Sequence, residues 1–322
     1  QLFKGLQAGK ELKDITNIPK SLVDKLNVAG YTGIGVIIRE KLVSKDGTVK
    51  YLFELMDGNI IEGVFMSYKY GNTLCVSTQV GCRMNCSFCA SGIEGLIRNL
   101  TAGEMLAQVA LVNADNGGTI ANRAITNVVL MGSGEPFDNY DNTAKFIKLL
   151  NDNEGLNIGM RNISLSTCGL IDGVEKLIRD KLFVTLTFSL HASNDIIREK
   201  LMPVNKAYNI GDIINAAKRY FDATGRRIIF EYSLIKGVND KEEHAEELAK
   251  IKGFPYHINL IMLNYVKEKG LKGVDGAHAK AFLDILTARG VSATIRRTMG
   301  GDIEGACGQL RRRYLGDRKT DG

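Results

Sequence analysis

The feature of this 322-residue sequence that most restricts its fold is the regular alternation, from residue 73 onward, of short apolar runs with longer amphipathic stretches. Such alternation is typical of repeated βα units, whose strands form a parallel sheet. Six or seven units predict an α/β fold built on a partial (β/α)6 barrel rather than the closed eight-unit form. The predicted strands are 74–80, 127–131, 162–167, 183–190, 228–234, 257–263 and, as a seventh, 293–297. The clearest predicted helices are 103–113, 142–150, 241–251 and 277–289.

The chain before residue 73 has a different pattern. Apolar residues at helical spacing predict a helical appendage over 1–34. Three β-rich segments follow, separated by the turn signals Asp46-Gly47 and Asp57-Gly58, and they predict a small antiparallel β meander over 35–72. Residues 73–322 are then the barrel, which ends in a loop with Cys307 and a basic tail. Because the sequence opens with Gln rather than Met, we expect an upstream portion to precede it.

Charge and hydropathy restrict the class of protein less than the fold pattern does. No run approaches the roughly 18 apolar residues of a membrane span, and the first residues lack the apolar block of a signal peptide. We therefore expect a soluble, cytoplasmic protein without a membrane partner. The net charge of +6 is compatible with many enzymes. Basic residues gather in 296–297, 311–313 and 318–319, either as an RNA-binding surface or as solvated charges.

Three of the six cysteines, Cys82, Cys86 and Cys89, lie within eight residues directly after the first predicted strand. Such clustering favours metal or redox chemistry over a disulfide framework. Three thiolates suit three irons of a cubane and leave its fourth iron open, whereas a structural zinc site needs four ligands. A zinc site would have to recruit a further cysteine, and a set of ordinary buried cysteines remains the third alternative. The spacing is that of the radical S-adenosylmethionine (SAM) superfamily, and Phe88 is placed to shield a cluster from water.

Polar residues follow the other predicted strands in the same way. In parallel barrels the chemistry lies at the carboxyl ends of the strands. Here these ends carry the turn Gly132-Ser133-Gly134-Glu135-Pro136, the segment Ser166-Thr167-Cys168-Gly169, the run Ser189-Leu190-His191 and Asn264. The amino and carboxylate groups of SAM chelate the open iron in radical SAM chemistry, so the protein must orient SAM. Glu135 is suited to accept from the methionine ammonium, and the small residues beside it let the backbone approach a ligand.

Several motifs together resemble one family, the radical SAM RNA methyltransferases that modify adenine carbon 2 in 23S ribosomal RNA and in transfer RNA. The resemblance runs from about residue 50 to 313. It is carried by the motifs Gln79-Val80-Gly81-Cys82-Arg83-Met84-Asn85-Cys86-Ser87-Phe88-Cys89, Met131-Gly132-Ser133-Gly134-Glu135-Pro136, Ser189-Leu190-His191-Ala192 and Gly305-Ala306-Cys307-Gly308-Gln309-Leu310.

This resemblance implies the cofactors and the residues that hold them. A [4Fe–4S] cluster is implied on Cys82, Cys86 and Cys89, with electrons from an external donor such as flavodoxin. The implied SAM contacts are Gly134, Glu135, Ser166, Ser189, Leu190, His191 and Asn264. We expect a monomer that acts on 23S rRNA and also on tRNA.

The resemblance also implies that Cys307 carries the methyl group, that Cys75 is its partner thiol and that Glu62 is the proton acceptor. An adenine ring carbon is electron-poor and cannot displace the methyl of SAM as a nucleophile would. One SAM therefore methylates Cys307, and a second supplies the radical that removes hydrogen from that methyl group, so that the carbon can add to the ring. Thiolate exchange with Cys75 then releases the product.

Several of these residues also have a simpler structural interpretation. Cys75 is a small strand residue in the simplest interpretation, Glu62 a solvated hairpin residue and Cys168 a buried filler. Ionisation of Cys307 calls for an electropositive setting, for which Arg296 or Arg297 is a candidate. Arg98, Arg198, Lys200 and the run 311–313 are candidate phosphate contacts, which would make RNA binding salt-dependent.

Three other functions remain open at this point. The antibiotic-resistance branch of the family methylates carbon 8 of the same ribosomal adenine with the same cysteines. A zinc-containing RNA-binding protein without catalytic activity explains the thiolate loop and the basic tail, and it predicts a colourless protein. Another radical SAM reaction on a small molecule keeps the cluster but gives Cys307 no part.

Overall fold

The computed structural model describes residues 1–31, 33–266 and 268–303, and most of its strands belong to one sheet. Its strands are β1 (Val36–Val43), β2 (Val49–Leu55), β3 (Ile60–Tyr68), β4 (Gly71–Cys75), β5 (Gln79–Gly81), β6 (Leu96–Asn99), β7 (Asn127–Leu130), β8 (Ile163–Thr167), β9 (Thr185–Ser189), β10 (Ile228–Leu234), β11 (Tyr256–Met262) and β12 (Ala293–Ile295). Ten of them form a sheet in the order β1-β2-β3-β4-β7-β8-β9-β10-β11-β12, and β5 pairs with β6.

The strands from β4 to β12 in this sheet run parallel in chain order, which confirms the predicted partial barrel. The strands β1 to β4 pair in antiparallel fashion, so the meander is the continuation of the barrel sheet. The three segments predicted at 1–34, 35–72 and 73–322 stay a prediction about domain organisation.

The prediction of one strand over 74–80 is wrong, because the chain leaves the sheet after Val76. The backbone amide of Ser77 donates to the side chain of Gln108 at 2.9 Å, and the Thr78 amide donates to the Ser133 carbonyl at 2.8 Å. A side-chain oxygen and a loop carbonyl thus accept the hydrogen bonds that a neighbouring strand would otherwise accept. The chain pairs again only from Gln79 onward, with β6.

Most helices of the described ranges pack their buried side chains against the sheet. The helices are α1 (Leu2–Gln7), α2 (Lys20–Val28), α3 (Ala102–Asp115), α4 (Tyr140–Asn151), α5 (Ile171–Arg179), α6 (Asp195–Leu201), α7 (Ile210–Thr224), α8 (Glu242–Leu248) and α9 (Gly276–Ala288). The local sequence fixes some of their ends: Thr101 and Glu104 form a capping box at the start of α3, and Gly225 ends α7 in the left-handed region. No helix in the described ranges combines the length and the apolar composition that a bilayer crossing needs.

The strand β3 separates the hydrophobic core from the interior of the barrel. Successive side chains of a strand point to opposite faces, and Ile61 and Phe65 accordingly belong to the main core between sheet and helices. Val64 and Met66 point the other way and pack with Cys75, which lies opposite Val64 on β4. The antiparallel extension therefore contributes one wall of the barrel interior.

Candidate active site

The loop with the three clustered cysteines is held between β5 and β6. Gly81 has φ +77, and a Cβ on it would lie 2.0 Å from the carbonyl oxygen of Gly95, so only glycine fits there. The Cys82 amide donates to that same oxygen at 2.9 Å, and the Ser87 amide donates to Leu201 at 2.8 Å. Backbone contacts therefore fix both ends of the loop.

Of the three cysteines of this loop, Cys82 is buried and Cys86 and Cys89 are half-buried. Burial raises the pKa of Cys82 to about 12, and burial together with the neighbouring Cys89 and Cys82 thiols raises that of Cys86 above its usual range. Three thiolates on one loop thus need a cation to offset their charge. Within the described ranges, no three Cys, His, Asp or Glu side chains converge as ligands of a single metal ion. Three thiolates suit three irons of a cubane, each thiolate binding its own iron, whereas a closed zinc site needs four ligands.

An apolar layer covers the cysteine loop. Phe88 meets the His191 ring edge to face, with 4.8 Å between the ring centroids. Cys86, Phe88 and Cys168 belong to one apolar cluster around Leu201 and Met202. Phe88 is therefore placed as a shield, and the interpretation of Cys168 as a buried filler is confirmed by its 7% exposure.

Glu135 lies at the carboxyl end of β7, and the protein already holds its carboxylate. Oε2 accepts from the Cys168 amide at 2.7 Å and Oε1 accepts from the Phe137 amide at 3.0 Å, while the amide of Glu135 donates to Gln79 at 2.9 Å. Burial nevertheless raises the pKa of Glu135. Hydrogen bonds from the Cys168 and Phe137 amides and from the Thr167 and Cys168 side chains oppose this effect. An ammonium group placed here would pair with the carboxylate and stabilise its charge further.

Close packing explains why residue 134 is a glycine. Its φ is +110, and a Cβ on it would lie 2.7 Å from the Cβ of Gln79 and the hydroxyl of Thr78. The close neighbours of the Gly134 backbone are thus Thr78 and Gln79 of the protein itself. The approach of a ligand to this backbone stays a prediction.

The ends of β8, β9 and β10 bring the next predicted residues together. The hydroxyls of Ser166 and Ser189 lie 3.3 Å apart. The amides of Leu190 and His191 both donate to the carbonyl oxygen of Glu231, at 3.0 and 3.1 Å. Four of the predicted SAM contacts are thereby fixed in place by hydrogen bonds.

His191 is buried and held as a neutral ring. Its φ is +54, and its Nδ1 accepts from the Ser233 amide at 3.0 Å. Burial, with the nearby Arg198, lowers the pKa of His191 to about 3. Because Nδ1 accepts, Nε2 carries the proton and remains a donor toward the cavity.

Arg198 is a structural residue of the site, so its prediction as a phosphate contact is wrong. The side chain has no exposed surface and donates to the carbonyl oxygens of Cys168 at 2.7 Å and Leu190 at 3.2 Å. The guanidinium thus joins the segments that follow β8 and β9. Arg98 is engaged as well, because it pairs with Asp57 at 2.6 Å and Glu104 at 2.8 Å.

A cavity of about 290 Å³ lies beside the cysteine loop. The residues singled out from the sequence that line it are Cys75, Phe88, Cys89, His191, Asn264, Arg296 and Arg297. The residues that sequence reasoning did not place there include Ser233 and Met299. Gly134, Glu135, Ser166, Ser189 and Glu62 do not line this cavity. Cys307 lies outside the described residues.

Arg296 also lines the cavity, and it pairs there with Glu231 on β10. Its Nη1 lies 3.5 Å from Oε1 of Glu231, whose side chain is 9% exposed. Burial raises the pKa of Glu231, and the arginine opposes this effect. Arg296 or Arg297 is predicted to lie near Cys307. This stays a prediction, because Cys307 lies outside the described residues.

Glu62 is buried, so its interpretation as a solvated hairpin residue is wrong. The carboxylate is 4% exposed and lies 3.3 Å from Nζ of Lys50, whose side chain is not exposed at all. Strand alternation places Glu62 on the same face of β3 as Val64 and Met66, which line the cavity. The ion pair therefore sits at the margin of the candidate site.

Removal of Lys50 is expected to destabilise the fold, because it takes away the ammonium group that pairs with the buried Glu62 carboxylate. Lys50→Met should lower the free energy of unfolding by about 3–5 kcal/mol, measured by urea denaturation. Lys41→Met is the matched control, since its partly exposed pair with Asp115 is worth about 0–1 kcal/mol. Equal losses in the two variants would contradict the assignment of a buried ion pair.

Comparison with known proteins is consistent with this geometry. The sequence profile of the radical SAM superfamily matches residues 76–249. The chain is 52% identical, over 99% of its length and 92% of the relative's, to a probable dual-specificity RNA methyltransferase RlmN of Thermoanaerobacter sp. (strain X514). It is 50% identical to a protein of the same description from Clostridium novyi (strain NT), over 94% of this chain and 87% of the relative. Among solved structures, a radical SAM methyltransferase from Sphaerobacter thermophilus is similar with a TM-score of 0.87 and 44% identity, over 93% of this chain and 87% of that one.

Proposed function

Because the chain belongs to the radical SAM superfamily and, within it, to the family of dual-specificity RNA methyltransferases, we propose that it methylates carbon 2 of an adenine. The proposed substrates are 23S rRNA and tRNA, and the methyl group is carried on Cys307. We further propose a monomeric, cytoplasmic enzyme that receives electrons from a flavodoxin-like donor.

The observation that carries this proposal is the composition of the cavity wall. Cys75, Cys89 of the cysteine loop and Met299 all line one cavity. Cys307 follows Met299 by eight residues in the sequence. A second thiol that faces the cluster side of the barrel is what a methyl-cysteine mechanism requires, whereas a zinc-binding RNA protein needs none there.

In this proposal Cys82, Cys86 and Cys89 hold a [4Fe–4S] cluster. The cluster, when bound, supplies the electron that splits SAM into methionine and a 5′-deoxyadenosyl radical. The protein's part is to orient SAM with Gly134, Glu135, Ser166, Ser189, Leu190, His191 and Asn264. The Glu135 carboxylate and the Nε2 proton of His191 offer an acceptor and a donor at fixed positions.

The thiols perform the covalent steps. Cys307 first takes the methyl group of one SAM, which leaves as S-adenosylhomocysteine. After a second SAM has supplied the radical that removes one hydrogen atom from this methyl group, its carbon bonds to the ring. The radical adduct then passes one electron to an external one-electron acceptor such as an oxidised flavodoxin-like protein, and Cys75 attacks the Cys307 sulfur, which breaks the bond from sulfur to the methylene carbon. The ring proton passes to Glu62 or Cys75, the released carbon takes up a proton, and an external thiol reductant restores the disulfide to two thiols.

The carbon-8 reaction is the close alternative, and product analysis separates the two. Unmodified 23S rRNA and tRNA are each incubated with the cluster-loaded protein, SAM and a reduced flavodoxin, then digested to nucleosides. Chromatography against synthetic standards is expected to give 2-methyladenosine from both RNAs. 8-Methyladenosine would overturn the proposed position, and product from rRNA alone would overturn the dual specificity.

A further inference from the structure

The segment that leaves the last strand of the sheet returns to the hairpin turn between β1 and β2. Asp302 accepts through Oδ1 from the Ser44 hydroxyl and through Oδ2 from the Lys45 amide, the latter at 3.1 Å. The Gly300 amide donates to Oδ2 of Asp46 at 2.9 Å. These contacts join parts of the chain that are 254 to 258 positions apart.

The turn at residues 44–48, called the anchor turn below, is stabilised by hydrogen bonds of its own. The Ser44 amide donates to the Thr48 carbonyl at 2.8 Å, and the Thr48 amide donates to Oδ1 of Asp46 at 2.9 Å. One oxygen of Asp46 thus closes the turn while the other holds Gly300. The amide donors keep the pKa of Asp46 well below its usual range, so the carboxylate is charged in both contacts.

The other hairpin turn offers a natural comparison. Asp57 in the turn between β2 and β3 accepts from the Asn59 amide at 3.1 Å, which is the same local contact. It also accepts from the Asn59 side-chain amide at 2.9 Å, and its long-range partner is Arg98 rather than the segment after β12. Asp57 and Asp46 therefore differ in the long-range contact and share the local one.

The segment held by the anchor turn is the one that leads from the cavity to Cys307. Arg296 and Met299 line the cavity, and Asp302 follows Met299 by three residues. Cys307 follows Asp302 by five residues, a length of chain that reaches at most about 18 Å. A fixed Asp302 consequently limits the volume that the Cys307 thiol can explore.

We propose that Asp302 and Asp46 are positioning residues, which hold the segment leading to Cys307 on the anchor turn so that its thiol stays close to SAM and Cys75. The proposal rests on the proposed function, because it assigns the contact a role in the methylation of Cys307. Positioning of this kind raises the rate by reducing the freedom that the reacting group must lose.

The test uses the full cluster-loaded chain and the first methyl transfer, from SAM to the Cys307 thiolate, which needs no electron. Its single-turnover rate is followed by mass spectrometry in the wild type and in Ser44→Ala, Asp302→Ala and the double variant. Ser44→Ala should slow the transfer about tenfold, the factor expected for one charge-assisted hydrogen bond. Asp302→Ala should slow it by at least as much, because it also removes the contact to the Lys45 amide. The double variant should be no slower than Asp302→Ala, which already lacks the contact to Ser44.

Two controls separate positioning from general damage. Asp57→Ala should stay within about twofold of the wild-type rate, and all variants should keep their iron content and their affinity for SAM. Hydrogen exchange of the amides at 298–303 gives a readout that needs no activity: it should quicken in Asp302→Ala and stay unchanged in Asp57→Ala.

Three outcomes would overturn the proposal. Unchanged exchange in Asp302→Ala means that the contact does not hold the segment. Faster exchange with an unchanged methylation rate means that it holds the segment without positioning Cys307. If wild-type Cys307 is never methylated although exchange responds to Asp302→Ala, the proposed function fails, and the positioning role fails with it.

Discussion

Replacement of Cys75 by alanine is expected to stop the release of methylated RNA while RNA becomes covalently attached to Cys307. Cys75 is the thiol proposed to break the bond between the Cys307 sulfur and the methylene carbon, and its loss leaves that bond intact. Product release should fall by at least about a thousandfold, the scale seen when a nucleophile of a covalent mechanism is removed. The measurement is a gel of protein and labelled RNA after one turnover, together with quantification of methylated nucleoside.

The matched variant for this experiment is Cys307→Ala, which should form neither the adduct nor the product. The double variant Cys75→Ala/Cys307→Ala should behave like Cys307→Ala, because Cys75 acts after the adduct has formed. Release of methylated RNA at the wild-type rate by Cys75→Ala would contradict its role. The position of Cys75 on the cavity wall, opposite Val64 on β3, is the structural basis of the expectation.

Replacement of Cys86 by alanine is expected to remove the iron and sulfide from the protein and to abolish SAM cleavage. Two thiolates leave the cubane with two open irons, and burial makes the Cys82 thiol hard to ionise without it. Iron and sulfide are assayed after anaerobic reconstitution, and 5′-deoxyadenosine is assayed after addition of SAM and a reductant.

Cys168→Ala is the control for this change, since Cys168 lies in the same apolar cluster as Cys86. It should retain the cluster and SAM cleavage, because the backbone of residue 168 keeps its contacts to Glu135 and Arg198 and the change removes only the weak hydrogen bond from the thiol to Glu135. A Cys168→Ala variant that loses iron as completely as Cys86→Ala would mean that Cys168 is a ligand. Bound zinc in the wild type would favour the non-catalytic RNA-binding protein.

The sequence predicts the barrel because its periodicity is a local property of each βα unit. The strand at 228–234 is predicted with the bounds that the structure gives to β10, Ile228–Leu234. The break after Val76 is not predictable in this way. It depends on acceptors from distant parts of the chain, such as Gln108 and Ser133.

The candidate site shows the same division between local and long-range information. Ser166 and Ser189 lie at the carboxyl ends of predicted strands, and the parallel topology brings their hydroxyls together as expected. The buried states of Arg198 and Glu62 are different, because they follow from partners that pattern reasoning does not identify. A charged residue is mostly exposed, so the carbonyl oxygens that surround Arg198 and the Lys50 ammonium beside Glu62 reverse the expectation.

The most direct test of the account asks whether Cys307 accepts a methyl group from SAM. The protein is reconstituted with iron and sulfide without oxygen, incubated with SAM carrying a deuterated methyl group, and digested with trypsin. Cleavage after Arg297 and Arg311 yields the peptide 298–311, in which Cys307 is the one cysteine, and fragment ions locate the label. The account predicts a deuterated methyl group on the Cys307 sulfur of the iron-loaded protein, and an unlabelled Cys307 in protein with a complete cluster would contradict it.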